Sequence, residues 1–164
     1  MIRANKSEGY STGAALLDIE KAFDSVWHKG LISKLQTFNF PIFLIKILKN
    51  YLTDRTLQVV YQNSKSDRFV RAGVSQGSVL GPVLYNIFTS DLPDLPPGCT
   101  KSLFCDDTSI SVKGKSLRVI CSRLQKNLDI FSSYLQKWKI SSISSKTQMI
   151  FFSHKTRASG EKEF

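Results

Sequence analysis

Cysteine and histidine are scarce in this chain of 164 residues, and several kinds of chemistry go with them. The three cysteines, Cys99, Cys105 and Cys121, are odd in number, and their gaps fit no zinc pattern. Free thiols in a reducing compartment are the expectation. Of the two histidines, His28 and His154, neither is accompanied by the Ser or Cys motif of a hydrolase triad. No Gly-x-x-x-x-Gly-Lys segment occurs, which disfavours NTP hydrolysis of the phosphate-loop kind. Long apolar runs are lacking as well. Phe38 to Leu48, the most apolar stretch, is broken by Asn39, Pro41 and Lys46 and is too short to span a bilayer. Met1 to Lys6 lacks the apolar core of a signal peptide, so an intracellular chain, in cytoplasm or nucleus, with no membrane partner is expected.

Acidic residues are the last shortage: 13 Asp and Glu stand against 23 Lys and Arg, a net charge of +10 and a pI near 9.7. Residues 1–90 carry 11 basic and 6 acidic groups and residues 91–164 carry 12 and 7, so the excess belongs to the whole chain and not to a tail. Polyanions are the partners such a balance favours, nucleic acid before anionic membrane, although a solvated lysine-rich surface accounts for charge alone equally well. With 41% hydrophobic residues, a chain of this length can bury a core, and one domain with no linker is expected.

The polar residues 1–12 read as a frayed lead-in. Ala14 to Ile19 reads as a buried strand ending in the acidic residues Asp18, Glu20 and Asp24. Leu31, Leu35 and Phe38 recur at helical spacing. Pro41 opens a second helix, with Phe43, Ile47 and Tyr51 on one face and Lys46 and Lys49 on another. Leu57–Tyr61 and Phe69–Val74 read as a hairpin around the polar residues 63–67, and Val83, Leu84, Ile87 and Phe88 as a helix after Gly81-Pro82. Beyond the stiff Pro93–Gly98 loop, Leu103–Cys105 and Thr108–Val112 read as strands joined by a tight turn at Asp106-Asp107. Ser116 caps a long amphipathic helix whose core face carries Leu117, Ile120, Leu124, Leu128, Phe131, Leu135 and Trp138, and Met149–Phe152 is a last strand. The order predicts an α+β fold with helices on one face of an antiparallel sheet.

Two features carry chemistry. Asp18 closes one strand and Asp106-Asp107 sit at the bend between two others, so adjacent strands would gather these carboxylates at one sheet edge. Carboxylates crowded in this way repel unless a cation lies among them, and hard oxygen ligands suit Mg²⁺ or Mn²⁺. A pair of such ions is the machinery of in-line phosphoryl transfer. Taken alone, Asp-Asp between strands is also ordinary turn chemistry. The second feature, Gly73-Val74-Ser75-Gln76-Gly77-Ser78-Val79-Leu80-Gly81-Pro82, lets backbone approach a ligand closely, or simply turns a strand into a helix.

Leu17-Asp18-Ile19-Glu20-Lys21-Ala22-Phe23-Asp24-Ser25-Val26-Trp27-His28 resembles the first palm motif of reverse transcriptases from non-LTR retrotransposons, the jockey-like group in particular. Gly73 to Pro82 resembles their second motif and Phe104-Cys105-Asp106-Asp107 their aromatic-x-Asp-Asp box. Trp138-Lys139-Ile140 with Ser145-Lys146-Thr147-Gln148 resembles the fourth. The likeness covers residues 9–152, between a polar segment 1–8 and a polar tail 153–164, with the four motifs in family order. It implies a polymerase palm with an antiparallel sheet backed by helices, without the fingers and thumb. It further implies RNA-directed DNA polymerisation with two Mg²⁺ ions (or Mn²⁺), an RNA template, a DNA primer and deoxynucleoside triphosphates. By this resemblance Asp18 and Asp106 ligate metal, with Asp107 completing the acidic site and the Ile19 carbonyl as a further ligand. Phe23 is the gate under the incoming sugar, Gln76 and Gly77 line the nucleotide and template pocket, and Lys146 donates a proton to pyrophosphate. The sequence departs from the family at Ser75 (usually Pro), at Cys105 (usually Ala) and at Ser142-Ile143-Ser144, where an Asn-Pro-type turn is usual. Little activity is expected of the fragment alone. The alternative is a catalytically inactive remnant that binds nucleic acid non-specifically; an RNA-recognition-type module is disfavoured because its aromatic signature is absent.

Overall fold

A computed structural model of the chain describes residues 2–104 and 107–153. It divides into two compact units that interleave along the sequence. The first comprises Met1–Asp18, Pro93–Tyr134 and Ser142–Phe164, and the second Ile19–Leu92 and Leu135–Ser141. Because the chain passes repeatedly from one unit to the other, no linker or shift in composition marks a boundary.

The first unit is built on a four-stranded sheet. Its elements are α1 (Ile2–Ser7), β1 (Ser11–Asp18), β4 (Cys99–Phe104), β5 (Asp107–Gly114), most of α5 (Leu117–Lys137), a 3₁₀ turn at Ser144–Lys146 and β6 (Gln148–Phe152). The strand order is β4-β5-β1-β6, every pair antiparallel. Alternate residues of β5 are buried (Thr108, Ile110, Val112, Gly114), and against that face lies α5. A Cβ on Gly13 would stand 2.3 Å from Ile120 Cγ2 and one on Gly114 2.7 Å from Ile120 Cγ1, so these glycines let the helix sit down on the strands. The Ser116 hydroxyl caps α5, accepting from the Val119 amide at 3.4 Å. Ile120, Leu124 and Phe131 are buried as expected, whereas Leu117 is exposed and the polar Asn127 joins the core, its amide donating to Cys99 Sγ at 3.1 Å.

Residues 2–7, expected to fray, form α1. The buried Asn5 amide donates to Thr12 Oγ1 at 2.9 Å and its carbonyl accepts from the Tyr10 amide at 2.8 Å. Thr12 shares a sheet face with Leu16 and Asp18, since side chains alternate along a strand. That face is therefore covered by α1 at one end and left open at the other.

The second unit holds α2 (His28–Thr37), α3 (Ile42–Leu52), the hairpin β2 (Thr56–Tyr61) and β3 (Ser64–Phe69), and α4 (Leu80–Thr89). Leu31, Leu35, Val26, Leu84 and Phe88 form its core. Helix α2 ends at Asn39, whose positive φ of 56° allows Phe40 N–H to reach Leu35 O and Asn39 N–H to reach Gln36 O, at 3.0 Å each. Lys139, with φ 58°, closes α5 in the same way. One local expectation is corrected. The hairpin turns at Gln62-Asn63, with Gln62 in the left-handed region, so Ser64–Asp67 belong to the strand and Val70–Val74 to the loop. On α3 it is Ile45 and Leu52 that are buried, while Phe43 and Ile47 are 61% and 59% exposed.

Candidate active site

Strand pairing brings the first carboxylates together. Asp18 is the last residue of β1 and Asp107 the first of β5, and the two stand directly opposite in register. Directly opposed residues of antiparallel strands project to the same face with Cβ atoms about 5 Å apart, and like charges so placed are destabilising unless compensated. Asp107 is exposed and Asp18 half-buried. Asp106 and Cys105 lie outside the described residues.

Compensation comes from the segment that departs from the family pattern. The Ile143 amide donates to the Asp18 carbonyl at 3.0 Å, and the Ile143 carbonyl accepts from the Lys146 amide at 3.1 Å and from the Thr147 hydroxyl at 3.3 Å. The resulting 3₁₀ turn carries Lys146 to Asp18, Nζ to Oδ2 at 2.9 Å. Ser142-Ile143-Ser144 thus builds a turn of its own that brings the lysine to the carboxylate. With 63% and 37% of the two side chains exposed, the ion pair adds little to stability; its interest is where it puts an ammonium group.

No group of three or more His, Cys, Asp or Glu that could hold a metal ion occurs among the described residues. The two opposed carboxylates nevertheless fit a hard divalent cation. Their oxygens are the donor type Mg²⁺ and Mn²⁺ take, their face of the sheet is open beside them, and Lys146 offsets only one of the two charges. Ile19 is buried, 5% exposed.

The second unit holds the other expected residues. The Phe23 ring lies 5.1 Å from the Tyr85 ring, tilted by 43°. Its carbonyl accepts from the Val74 amide and the Val26 carbonyl from the Gly73 amide, both at 2.8 Å. His28 Nε2–H donates to Gly73 O at 2.7 Å, the carbonyl fixing the tautomer. Gln76 Nε2 donates to Asp24 Oδ1 at 3.1 Å. The segments around Phe23 and Gln76, 53 positions apart in sequence, are therefore stitched together. Gly73 makes this possible: its φ is +93°, and a Cβ there would stand 2.8 Å from Asp24 Cα and O. Gly77, at φ +79°, has open space around it. The loop is also held from outside, by Arg55 on Ser75 Oγ and by the Tyr51 hydroxyl 3.5 Å from Ser78 Oγ. The bond to Ser78 lowers the Tyr51 pKa from its ordinary value.

The sequence alone assigns no role in the site to Tyr85, Asp24, His28 or Arg55. Asp24 and His28 stand inside the first motif and could have been suspected; nothing local marks Tyr85 or Arg55. Lys34 was missed too. It is 2% exposed, bonded to Phe88 O and Asp91 and held between the rings of Phe88 and Trp138, its Nζ 4.9 and 3.7 Å from their centroids. Burial lowers its pKa, against the raising effect of Asp91.

Comparison with known proteins gives the chain a family. Residues 2–162 match the family model described as reverse transcriptase (RNA-dependent DNA polymerase). The chain is 36% identical over 163 residues to the RNA-directed DNA polymerase from mobile element jockey of Drosophila melanogaster, covering 94% of this chain and 18% of that protein. It is 37% identical over 151 residues to the probable RNA-directed DNA polymerase from transposon BS of the same species, covering 87% of this chain and 17% of that one. The chain thus spans less than a fifth of the length of these relatives. Its fold is similar to apo telomerase from Candida tropicalis truncated from the C-terminal domain, with a TM-score of 0.65, 15% identity and coverage of 92% of this chain and 32% of that one. The α+β fold of helices and antiparallel sheet is thus of the polymerase palm type. No helix among the described residues is long and apolar enough to cross a membrane.

Proposed function

This chain belongs to the reverse transcriptase (RNA-dependent DNA polymerase) family, and on that premise we propose that it is the nucleotidyl-transfer core of a retrotransposon polymerase. It adds deoxynucleotides to a DNA primer on an RNA template. The observation that carries the reading is the register that sets Asp18 opposite Asp107, with Lys146 on Asp18.

Asp18 and Asp106 are the proposed ligands of two Mg²⁺ ions (or Mn²⁺), with Asp107 and the Ile19 carbonyl contributing. When bound, such ions acidify the primer 3′-hydroxyl and offset charge on the phosphates. The chain supplies the remaining functions. Strand-borne carboxylates hold their places more rigidly than loop residues, which favours an aligned approach of the 3′-oxygen to the α-phosphorus. As that bond forms the 3′-hydroxyl proton passes to solvent water, and as the bond to pyrophosphate breaks Lys146 Nζ donates a proton to the leaving oxygen. The Phe23 ring, held by Tyr85, is proposed to exclude a 2′-hydroxyl. Gln76 and Gly77 are proposed to line the nucleotide and template, Gly77 because a residue without Cβ leaves room there.

The test is single-nucleotide incorporation by the full chain on an RNA template with a DNA primer and Mn²⁺, beside Asp106→Asn and Asp18→Asn. Limited incorporation, lost in both variants, is the expected result; sustained extension is not expected. RNA binding without any incorporation would establish the non-specifically binding remnant instead, and incorporation indifferent to both substitutions would overturn the site.

A further inference from the structure

Within the second unit, Ser75, Gln76, Gly77 and Ser78 form a β-turn. The Ser78 amide closes it on Ser75 O at 3.3 Å, and Gly77, its third residue, has the positive φ of 79° found there in type II turns. The two corner residues, Gln76 and Gly77, are exposed, whereas Ser75 and Ser78 at the ends are half-buried. Both ends are fastened. Ser78 Oγ donates to Ser75 O at 2.8 Å and accepts from the Gly81 amide, at the start of α4, at 3.0 Å. From the end of α3 the Tyr51 hydroxyl donates to Ser78 Oγ at 3.5 Å, and just beyond that helix the Arg55 guanidinium donates to Ser75 Oγ. Arg55 also lies 5.6 Å over the Tyr51 ring. The two side chains are thus joined to each other, and each grips one end of the turn. Neither takes part in the chemistry proposed above.

We propose that Arg55 and Tyr51 are positioning residues, which set this turn so that Gln76 and Gly77 meet the incoming nucleotide; the proposal rests on the reading of those two as nucleotide-lining residues. A two-residue corner that projects into water has few contacts of its own, so its place is decided at its ends. At the Ser75 end the donor is a charged guanidinium, the stronger kind of hydrogen bond. At the Ser78 end the 3.5 Å contact is at the long limit of such a bond and contributes less. Arg55 is therefore the principal holder and Tyr51 the lesser one. Neither needs to touch the nucleotide, because displacing the corner by about 1 Å is enough to spoil the alignment of what Gln76 contacts.

The experiment is incorporation of dTTP by the full chain on a poly(rA) template with an oligo(dT) primer and Mn²⁺, read against dTTP concentration, beside amide hydrogen exchange at Ser78. Arg55→Ala and Ser75→Ala are each expected to speed exchange at Ser78 and to raise KM for dTTP by about tenfold, with kcat changed less than twofold. The double variant should do no more than either single one, since the two side chains act through one bond. Tyr51→Phe should raise KM about twofold. Lys46→Ala, which removes an exposed charge from α3, should leave KM unchanged. An effect of Arg55→Ala that Ser75→Ala does not share would mean that the guanidinium acts by its charge, and would overturn the positioning role. Loss of kcat together with a lowered melt in both variants would make the bond a structural one only, and would overturn it too. Gln76→Ala separates the proposal from its premise. If it raises KM while Arg55→Ala and Ser75→Ala do not, the positioning role alone fails. If it leaves KM unchanged, the reading of Gln76 as a nucleotide contact fails, and absence of incorporation by the wild type would overturn both.

Discussion

The four-stranded sheet and the β2–β3 hairpin are made on opposite principles. In the four-stranded sheet, β5 alternates buried and accessible residues along its whole length, and Ile110 and Val112 are 1% exposed. In the β2–β3 hairpin every residue is exposed, Val59, Val60 and Tyr61 at 56%, 57% and 72%. A one-residue slip in the first would bring its core residues into water, so register is strongly specified there, and it is that register which sets Asp18 against Asp107. The second has no buried face to pin it, and an isolated two-stranded hairpin is marginal in water. Asp18 and Asp107 stand on the sheet whose register is pinned, whereas the hairpin carries none of the proposed site residues.

Breaking the rigid sheet should have the largest effect. Ile110→Ala deletes a fully buried side chain and should lower unfolding free energy in urea by about 2–5 kcal/mol; a loss below 1 kcal/mol would mean the β5 face is not the core described. Gly73→Ala comes next, at about 2–4 kcal/mol, because the new Cβ meets the Asp24 backbone in a left-handed conformation. Its circular dichroism melt should fall accordingly, and an unchanged melt would contradict the stitched loop.

Lys34→Met should cost about 1–3 kcal/mol at pH 7, since Phe88 O and Asp91 lose their donor. Burial lowers the Lys34 pKa below its unfolded 10.5, so between the folded value and 10.5 the unfolded chain binds more protons and stability rises with pH. The penalty of burying the ammonium is full below that window and relieved across it. The wild type should accordingly gain on Lys34→Met as pH climbs toward 10.5, and a pH-independent difference would show Lys34 titrating normally. Smallest of all, Val59→Ala in the hairpin should cost less than about 1 kcal/mol. Hydrogen exchange of β2 and β3 amides should run far ahead of β1 and β5, and equal protection would erase the contrast on which the comparison rests.

The same contrast explains what could be read from sequence. Strands β1 and β5 and helices α2, α4 and α5 each bury one face, and burial leaves a period in the sequence that locates them; β6, exposed along its length, is marked only by its apolar run. The hairpin leaves none, so its polar Ser64–Asp67 pass for a turn when in fact they pair with Gln58–Tyr61. Helix α3 is apolar nearly all round, and periodicity could not choose Ile45 over Phe43 as its inner side. Lys34 reads as a solvent-facing charge on α2; its ring cage comes from Phe88 and Trp138, 54 and 104 positions away. Of the candidate site, the carboxylates and the glycine loop were legible because reactive groups must stand at strand ends and turns. The pairing that joins Asp18 to Asp107, and the bond of Lys146 to Asp18, belong to the fold alone.

The claim on which the account turns is the proposal that Asp18, with Asp106 and Asp107, holds divalent cations. Mn²⁺ titration of the full chain, followed by electron paramagnetic resonance of the free ion, addresses it most directly. The account predicts that Asp18→Asn weakens Mn²⁺ binding at least tenfold and that Lys146→Ala, by removing the competing ammonium, strengthens it, while Asp129→Asn on α5 leaves it unchanged. Equal Mn²⁺ affinity in the wild type and Asp18→Asn would contradict it.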